Sequence, residues 1–158
     1  MRRDRKPIEH RVVEFTVYGE PAPQGSKKFV GMRGGKGVLV ENSKAVKPWR
    51  RDVADNGMLA MIGGIEGPHR SAPLDGPLMA SIVFTLQRPA SAHKSRRWPD
   101  RKPDLSKLLR STEDALVTAG VIADDARIVC FRDLRKVYVG DPDALPMPGA
   151  KIKVETMI

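Results

Sequence analysis

Residues 12–19, VVEFTVYG, alternate Val13, Phe15 and Val17 with Glu14 and Thr16, a period of two that predicts a strand with one buried face. The next stretch, PAPQGSKK, carries two prolines and a glycine and reads as an irregular loop. KKFVGMRGGKGVLVEN predicts a hairpin of two short strands around Arg33-Gly34-Gly35-Lys36, where glycine supplies the positive φ that the turn needs. From Ser43 the spacing changes: Val46, Trp49, Val53, Met58, Met61 and Ile62 predict a helix. Pro48 falls in its first turn, where a missing N–H does no harm, and Gly63-Gly64 end it. Gly57 is out of place inside such a helix. LMASIVFTLQ (78–87) is apolar enough to be a central strand.

Residues 88–103 are poor in apolar side chains and predict an exposed, mobile loop. A helix over 105–119 follows, with Leu105, Leu108, Leu109, Thr112, Ala115, Leu116 and Ala119 in one sector and Ser106, Lys107, Arg110, Glu113, Asp114 and Val117 opposite. Pro103-Asp104 starts it and Gly120 stops it. Strands over 127–139 and in AKIKVETMI complete an α+β domain: a small mixed sheet, mainly antiparallel, with two helices packed on one face. Residues 1–11 are expected to be a basic arm and 12–158 a single domain, as suits a chain of 158 residues.

Charge sharpens this picture. The chain carries a net +9, and the eight cations and two acids of residues 88–110 place +6 of it in one short window. Such a localised basic stretch is the footprint of a polyanion, with nucleic acid the first choice. A solvated basic loop is the plainer alternative. One cysteine, Cys130, excludes an intrachain disulfide framework, and its place in the apolar run IVCF predicts a buried strand thiol. No apolar run is long enough to span a membrane, and the expected setting is the cytoplasm.

Against this basic background the acids of KPDLSKLLRSTEDALVTAGVIADDARIV stand out. Each has a plain structural use. Asp104 suits a helix N-cap, Asp114 an ion pair with Lys107 or Arg110, and Asp124 with Asp125 a turn. Together, beside Lys and Arg, they suit a hard cation such as Mg²⁺ and phosphodiester chemistry. His10, His69 and His93 have no zinc-ligand spacing. The predicted helix separates Asp104 from the acid pair. The two ends can converge only if the next strand runs back along the helix or a second subunit contributes.

This stretch resembles the signature of the RusA family of endodeoxyribonucleases, which resolve Holliday junctions and are common in phages and prophages. Asp104 matches the family's first acid, Asp114-Ala115-Leu116 its middle motif and Asp124-Asp125 its acidic pair, while Arg110 stands where the family has a catalytic lysine. GEPAPQGSKK and NSKAVKPWRRDVA also resemble the family's opening loop and first helix. The resemblance implies a homodimer that cuts branched DNA with Mg²⁺, or Mn²⁺ in its place. Asp104 and Asp125 would hold the metal, Asp124 would assist a water and Arg110 would stabilise the scissile phosphate. Lys27, Lys28, Lys94, Arg96, Arg97, Arg101, Lys102 and Lys107 are the expected DNA contacts. Ser106 departs from the pattern, standing where the family has a metal-ligating Asp, and Lys107 replaces an Asn. That departure opens an alternative, a branched-DNA-binding protein with weakened or lost catalysis. A generic basic nucleic-acid-binding domain is a third reading.

Overall fold

The computed structural model describes residues 7, 9–25, 27–41, 44–63 and 70–158. Most of the expected N-terminal arm, the helix start at Ser43, and Gly64 and His69 lie outside these residues. The elements follow in the order β1 (Val12–Tyr18), β2 (Lys27–Arg33), β3 (Lys36–Glu41), α1 (Val46–Met61), β4 (Leu78–Leu86), α2 (Leu105–Thr118), β5 (Ile128–Tyr138) and β6 (Gly149–Thr156). Four strands form one sheet in the order β1-β6-β4-β5, and β2 and β3 pair with each other as a separate hairpin. The β1–β6 and β4–β6 pairs are antiparallel, whereas β4 and β5 run parallel, joined by α2 as a crossover. This is the expected α+β fold with a mainly antiparallel mixed sheet.

The period-two pattern carries the core. Val17 of β1, Leu78, Ala80, Ile82 and Phe84 of β4, and Ala150, Ile152 and Val154 of β6 lie in one apolar cluster with Trp49, Val53, Leu108 and Leu116 of the two helices. Trp49 ties the layers together: its ring lies 6.4 Å from that of Phe84, and its Nε1 donates to Thr112 Oγ1 at 3.1 Å. Gly57 has a packing reason, because a Cβ there would stand 2.9 Å from Val121 Cγ2 and 3.2 Å from Ala119 Cβ. The helix accepts the conformational cost of glycine so that α1 can approach the turn after α2. Glu14, Ser81, Asp133, Arg135, Lys151 and Lys153 line the opposite, polar side of the sheet.

Three expectations change in detail. Arg11, the last residue of the expected arm, is tied to the domain, its N–H donating to Thr156 Oγ1 at 2.8 Å and its Nη2 to the Ala72 carbonyl at 2.7 Å. Cys130 is half-buried, with Sγ 3.9 Å from Met157 Sδ, because β5 is an edge strand with one side open. The 88–103 loop is exposed but anchored. Arg88 donates from Nη1 to the Arg96 carbonyl at 2.6 Å and from Nη2 to that of His93, while its guanidinium lies 5.4 Å from the Tyr138 ring centroid.

Candidate active site

The two ends of α2 carry the acids. At its start Asp104 occupies the N-cap position, and its backbone carbonyl accepts from the Lys107 and Leu108 N–H groups at 3.1 and 3.0 Å. Its carboxylate makes no capping bond. Such a bond contributes about 1 kcal/mol, and here the helix goes without it. The carboxylate instead lies half-exposed, 3.5 Å from Lys107 Nζ. It borders a cleft of about 290 Å³ lined by Pro23, Lys102, Pro103, Asp104 and Lys107.

Lys136, which sequence reasoning missed, reaches the same mouth from the far end of β5. Its Nζ donates to the carbonyls of Arg101 at 2.7 Å and Pro103 at 2.8 Å, fixing the turn that presents Asp104. Partial burial lowers its pKa, and the nearby carboxylates of Asp104 and Asp100 oppose that shift. Nothing in the local pattern RDLRKVY marks it, since its partners are more than 30 residues away in the chain.

The proline-rich loop before β2 lies along the polar face of α2. The Gln24 N–H donates to the Lys107 carbonyl at 3.0 Å, Gln24 Nε2 to Asp114 Oδ2 at 2.7 Å, and the buried Ser111 hydroxyl to the Ala22 carbonyl at 2.6 Å. Asp114 is thus held by Gln24, not by Lys107 or Arg110. Gly25 brings the loop against Arg110, whose Nη1 lies 3.3 Å from where a Gly25 Cβ would be. Arg110 is thereby set on the exposed side of α2, between loop and solvent.

Past the other end of α2, Asp124 Oδ1 accepts from the Ala126 N–H at 2.8 Å, capping a short 3-10 turn, Asp125–Arg127. Asp125 opens that turn and is exposed; among the described residues its carboxylate makes no hydrogen bond or ion pair. Glu113 on α2 is half-buried beside it. Burial first, then the negative charges of Asp125 and Asp114, raise its pKa from the ordinary 4.5 to about 7. Sequence places Glu113 on the polar face of α2 but gives no sign of this company.

One chain does not bring the family's ligand positions together. Asp104 and Asp125 flank a helix of 14 residues, about 21 Å long. Strand β5 does run back along α2, yet it begins after the acid pair, so what it returns to the Asp104 end is Lys136. Among the described residues no three His, Cys, Asp or Glu side chains are grouped so as to hold a metal ion. Asp104, exposed Ser106 and Asp125 therefore do not fit a metal within a single protomer.

Of the expected DNA contacts, Lys102 and Lys107 line the Asp104 cleft. Lys94, Arg97 and Arg101 are exposed on the anchored loop, Arg97 lying 5.4 Å from the Trp98 ring centroid. Arg96 Nε pairs with Asp100 at 3.4 Å. Lys27 and Lys28 lie on β2, and their side chains are outside the described residues. Among the described residues no helix is long and apolar enough to cross a membrane.

Comparison with known proteins bears on this geometry. The family described as "Endodeoxyribonuclease RusA" matches residues 19–145, from the end of β1 through β5. The chain is also similar to "Uncharacterized protein YqaN" of Bacillus subtilis (strain 168), at 29% identity over 133 residues, covering 82% of this chain and 90% of that protein.

Proposed function

The chain belongs to the RusA family of endodeoxyribonucleases, and from that premise we propose that it cuts four-way or related branched DNA as a homodimer requiring Mg²⁺. The observation that carries this reading is the Asp104 mouth: a carboxylate left out of its own helix cap, facing a cleft lined by Lys102 and Lys107. An acid held among cations, with Lys136 bracing the turn beneath it, suits work on a phosphate backbone. Arg110, one and a half turns along the same helix, stabilises negative charge on the scissile phosphate. Lys102, Lys107 and the 94–101 loop position the backbone and give binding a steep salt dependence.

Oxygen-only, histidine-free acids match Mg²⁺, with Mn²⁺ able to substitute, and a bound ion would supply charge neutralisation at the phosphate. The separation of Asp104 from Asp125 in one chain favours a second protomer as the source of the missing acid. Asp124 acts by holding the 3-10 turn that presents Asp125, a more modest role than assisting a water. Two symmetric sites in a dimer would meet the need for paired cuts.

A second reading, junction binding with weakened catalysis, is favoured by Ser106. The test is cleavage of a synthetic four-way junction across a Mg²⁺ titration, for the native chain and for Ser106→Asp. The native chain should cut, and Ser106→Asp should lower the metal requirement by about tenfold or more, a ligand counting for at least as much as its supporting contacts. A first-turn carboxylate also complements the helix dipole, so the fold should tolerate it. Junction-selective binding without cleavage would favour the second reading. Equal binding to linear and branched duplex would reduce the chain to a generic nucleic-acid-binding domain. If the native chain cuts but Ser106→Asp leaves the metal dependence unchanged, position 106 is not a ligand site.

A further inference from the structure

Among the described residues, no side chain of the β2–β3 hairpin belongs to the fold's core, and the hairpin's composition is unusual for a solvated arm. It forms a two-stranded sheet of its own. Such a unit is marginal in water unless something packs on it. Gly34 and Gly35, with φ of 55° and 77°, make its tip a tight turn between Arg33 and Lys36. Phe29, Val30 and Met32 are 57%, 57% and 64% exposed, three large apolar side chains close together on β2. A register shift between Phe29 and Gly31 interrupts the pairing there, and the Phe29 ring lies over Gly37 of the opposite strand, where a Cβ would come within 3.2 Å of it. Gly37 therefore leaves room for the ring.

The charges in the hairpin's sequence are one-sided. Lys27, Lys28, Arg33 and Lys36 lie on the two strands, with Glu41 as the single acid between residues 27 and 41. Apolar side chains on a strand pair whose sequence is rich in cations, with exposed Arg33 and Lys36 beside the turn, match a polyanion with apolar interior surface, which is what nucleic acid offers where a base step opens. The hairpin is also continuous with the candidate site. It leaves the loop that Gln24 and Ser111 fasten to α2, directly after Gly25 and its contact with Arg110. Seven extended residues carry its tip about 20 Å from that point.

We infer that the β2–β3 hairpin is a wedge for branched DNA: its cations track the backbone while Phe29, with Val30 and Met32, inserts against bases exposed at the branch point. This rests on the branched-DNA reading above and adds to it a source of substrate selectivity. Inserting apolar side chains between stacked bases must first unstack them, at a cost in free energy. A branch point has already lost that stacking, so the same wedge favours branched over linear duplex without reading sequence.

The test compares the native chain with Phe29→Ala/Met32→Ala, both positions being exposed enough that the fold should survive, as circular dichroism can verify. Affinity is measured for a four-way junction and for a linear duplex of the same sequence, in Ca²⁺ to prevent cutting, with 2-aminopurine at the branch point. The native chain should prefer the junction and raise or quench the branch-point fluorescence. The double variant should lose roughly tenfold in junction affinity, the scale of losing one base stack, with linear-duplex binding unchanged and the fluorescence response abolished. Equal losses on both DNAs, or an unchanged junction preference, would overturn the wedge while leaving the nuclease reading intact. Dissociation of a native dimer by the same substitutions would assign the hairpin to a second copy of the chain instead. A native chain without junction preference would overturn both readings.

Discussion

The two ends of α2 carry the same kind of side chain in opposite electrostatic settings. At the start, Asp104 meets Lys107 at 3.5 Å, with Lys102 across the cleft and Lys136 beneath the turn. Past the end, Glu113 lies near both Asp125 and Asp114, and burial together with those two charges holds Glu113 partly protonated near neutrality. The first end is compensated and suited to an anion. At the second, Arg70 donates to the Ala119 carbonyl and Arg127 pairs with Asp75 at 2.8 Å, so the cations nearby are engaged elsewhere and a carboxylate there gains from any positive charge that arrives. Since one chain keeps the ends about 21 Å apart, the contrast itself argues for bringing one protomer's acid-rich end to another's cation-rich end.

Asp125→Asn should have the largest effect. Removing this charge takes away a proposed metal ligand, and cleavage should fall by more than the ~100-fold that altering a ligand's supporting contacts alone can cost. Junction binding should be kept or tightened, because one repulsion towards phosphate is gone. Gel-shift and cleavage assays on the same junction read both quantities. Loss of binding with the fold intact would show that Asp125 shapes the turn, and the electrostatic contrast between the ends would lose its functional meaning.

A smaller effect belongs to the cation-rich side. Changing Arg96, Arg97 and Arg101 together to Ala should flatten the plot of log affinity against log salt by up to about three counterions' worth. The structure lowers the expectation towards two, since Arg96 already pairs with Asp100 at 3.4 Å. The backbone anchors from Arg88 and Lys136 use carbonyls of the loop, so the loop itself should keep its course in this variant. An unchanged slope would make it a solvated face and leave Lys102 and Lys107 as the phosphate contacts of that end.

How these ends could be read from sequence differs with the range of the interactions. β1, β4, β6 and α2 were legible because burial imposes periods of 2 and 3.6 that the side chains display locally, and the hairpin because Gly34-Gly35 names its own turn. Asp104 at the helix start and Asp124 in a turn were legible for the same reason. Pairing partners were not. The parallel match of β4 with β5 delivers Lys136 to the Asp104 mouth, and no local pattern encodes which strand lies beside which. The clasp of Gln24 on Asp114 spans 90 residues, and it displaced the expected pairing of Asp114 with its own helix neighbours. Glu113 was visible only as a polar-face residue. Its perturbation needs the 3-10 turn folded back against α2, a tertiary fact.

Glu113 also gives the smallest and cleanest test of the acid-rich end. Its folded pKa of about 7 lies above the ordinary 4.5, so between those values the folded chain binds more protons than the unfolded one. Stability from this group is therefore fully present below pH 4.5 and is lost as pH rises through about 7. At 1.36 kcal/mol per pH unit the whole linkage would be about 3 kcal/mol. The group is only half-buried, and solvent screening reduces the expectation to about 1 kcal/mol. Glu113→Gln keeps the shape and removes the titration, so in chelator-treated buffer it should match the native chain near pH 4.5 and exceed its stability by about 1 kcal/mol at pH 8. Urea unfolding at the two pH values measures this directly. In Asp125→Asn the same pH-dependent loss should shrink without vanishing, because burial is the larger cause and remains. If Glu113→Gln leaves the pH dependence untouched, the carboxylates past the end of α2 do not burden one another, and the two ends of the helix are electrostatically alike.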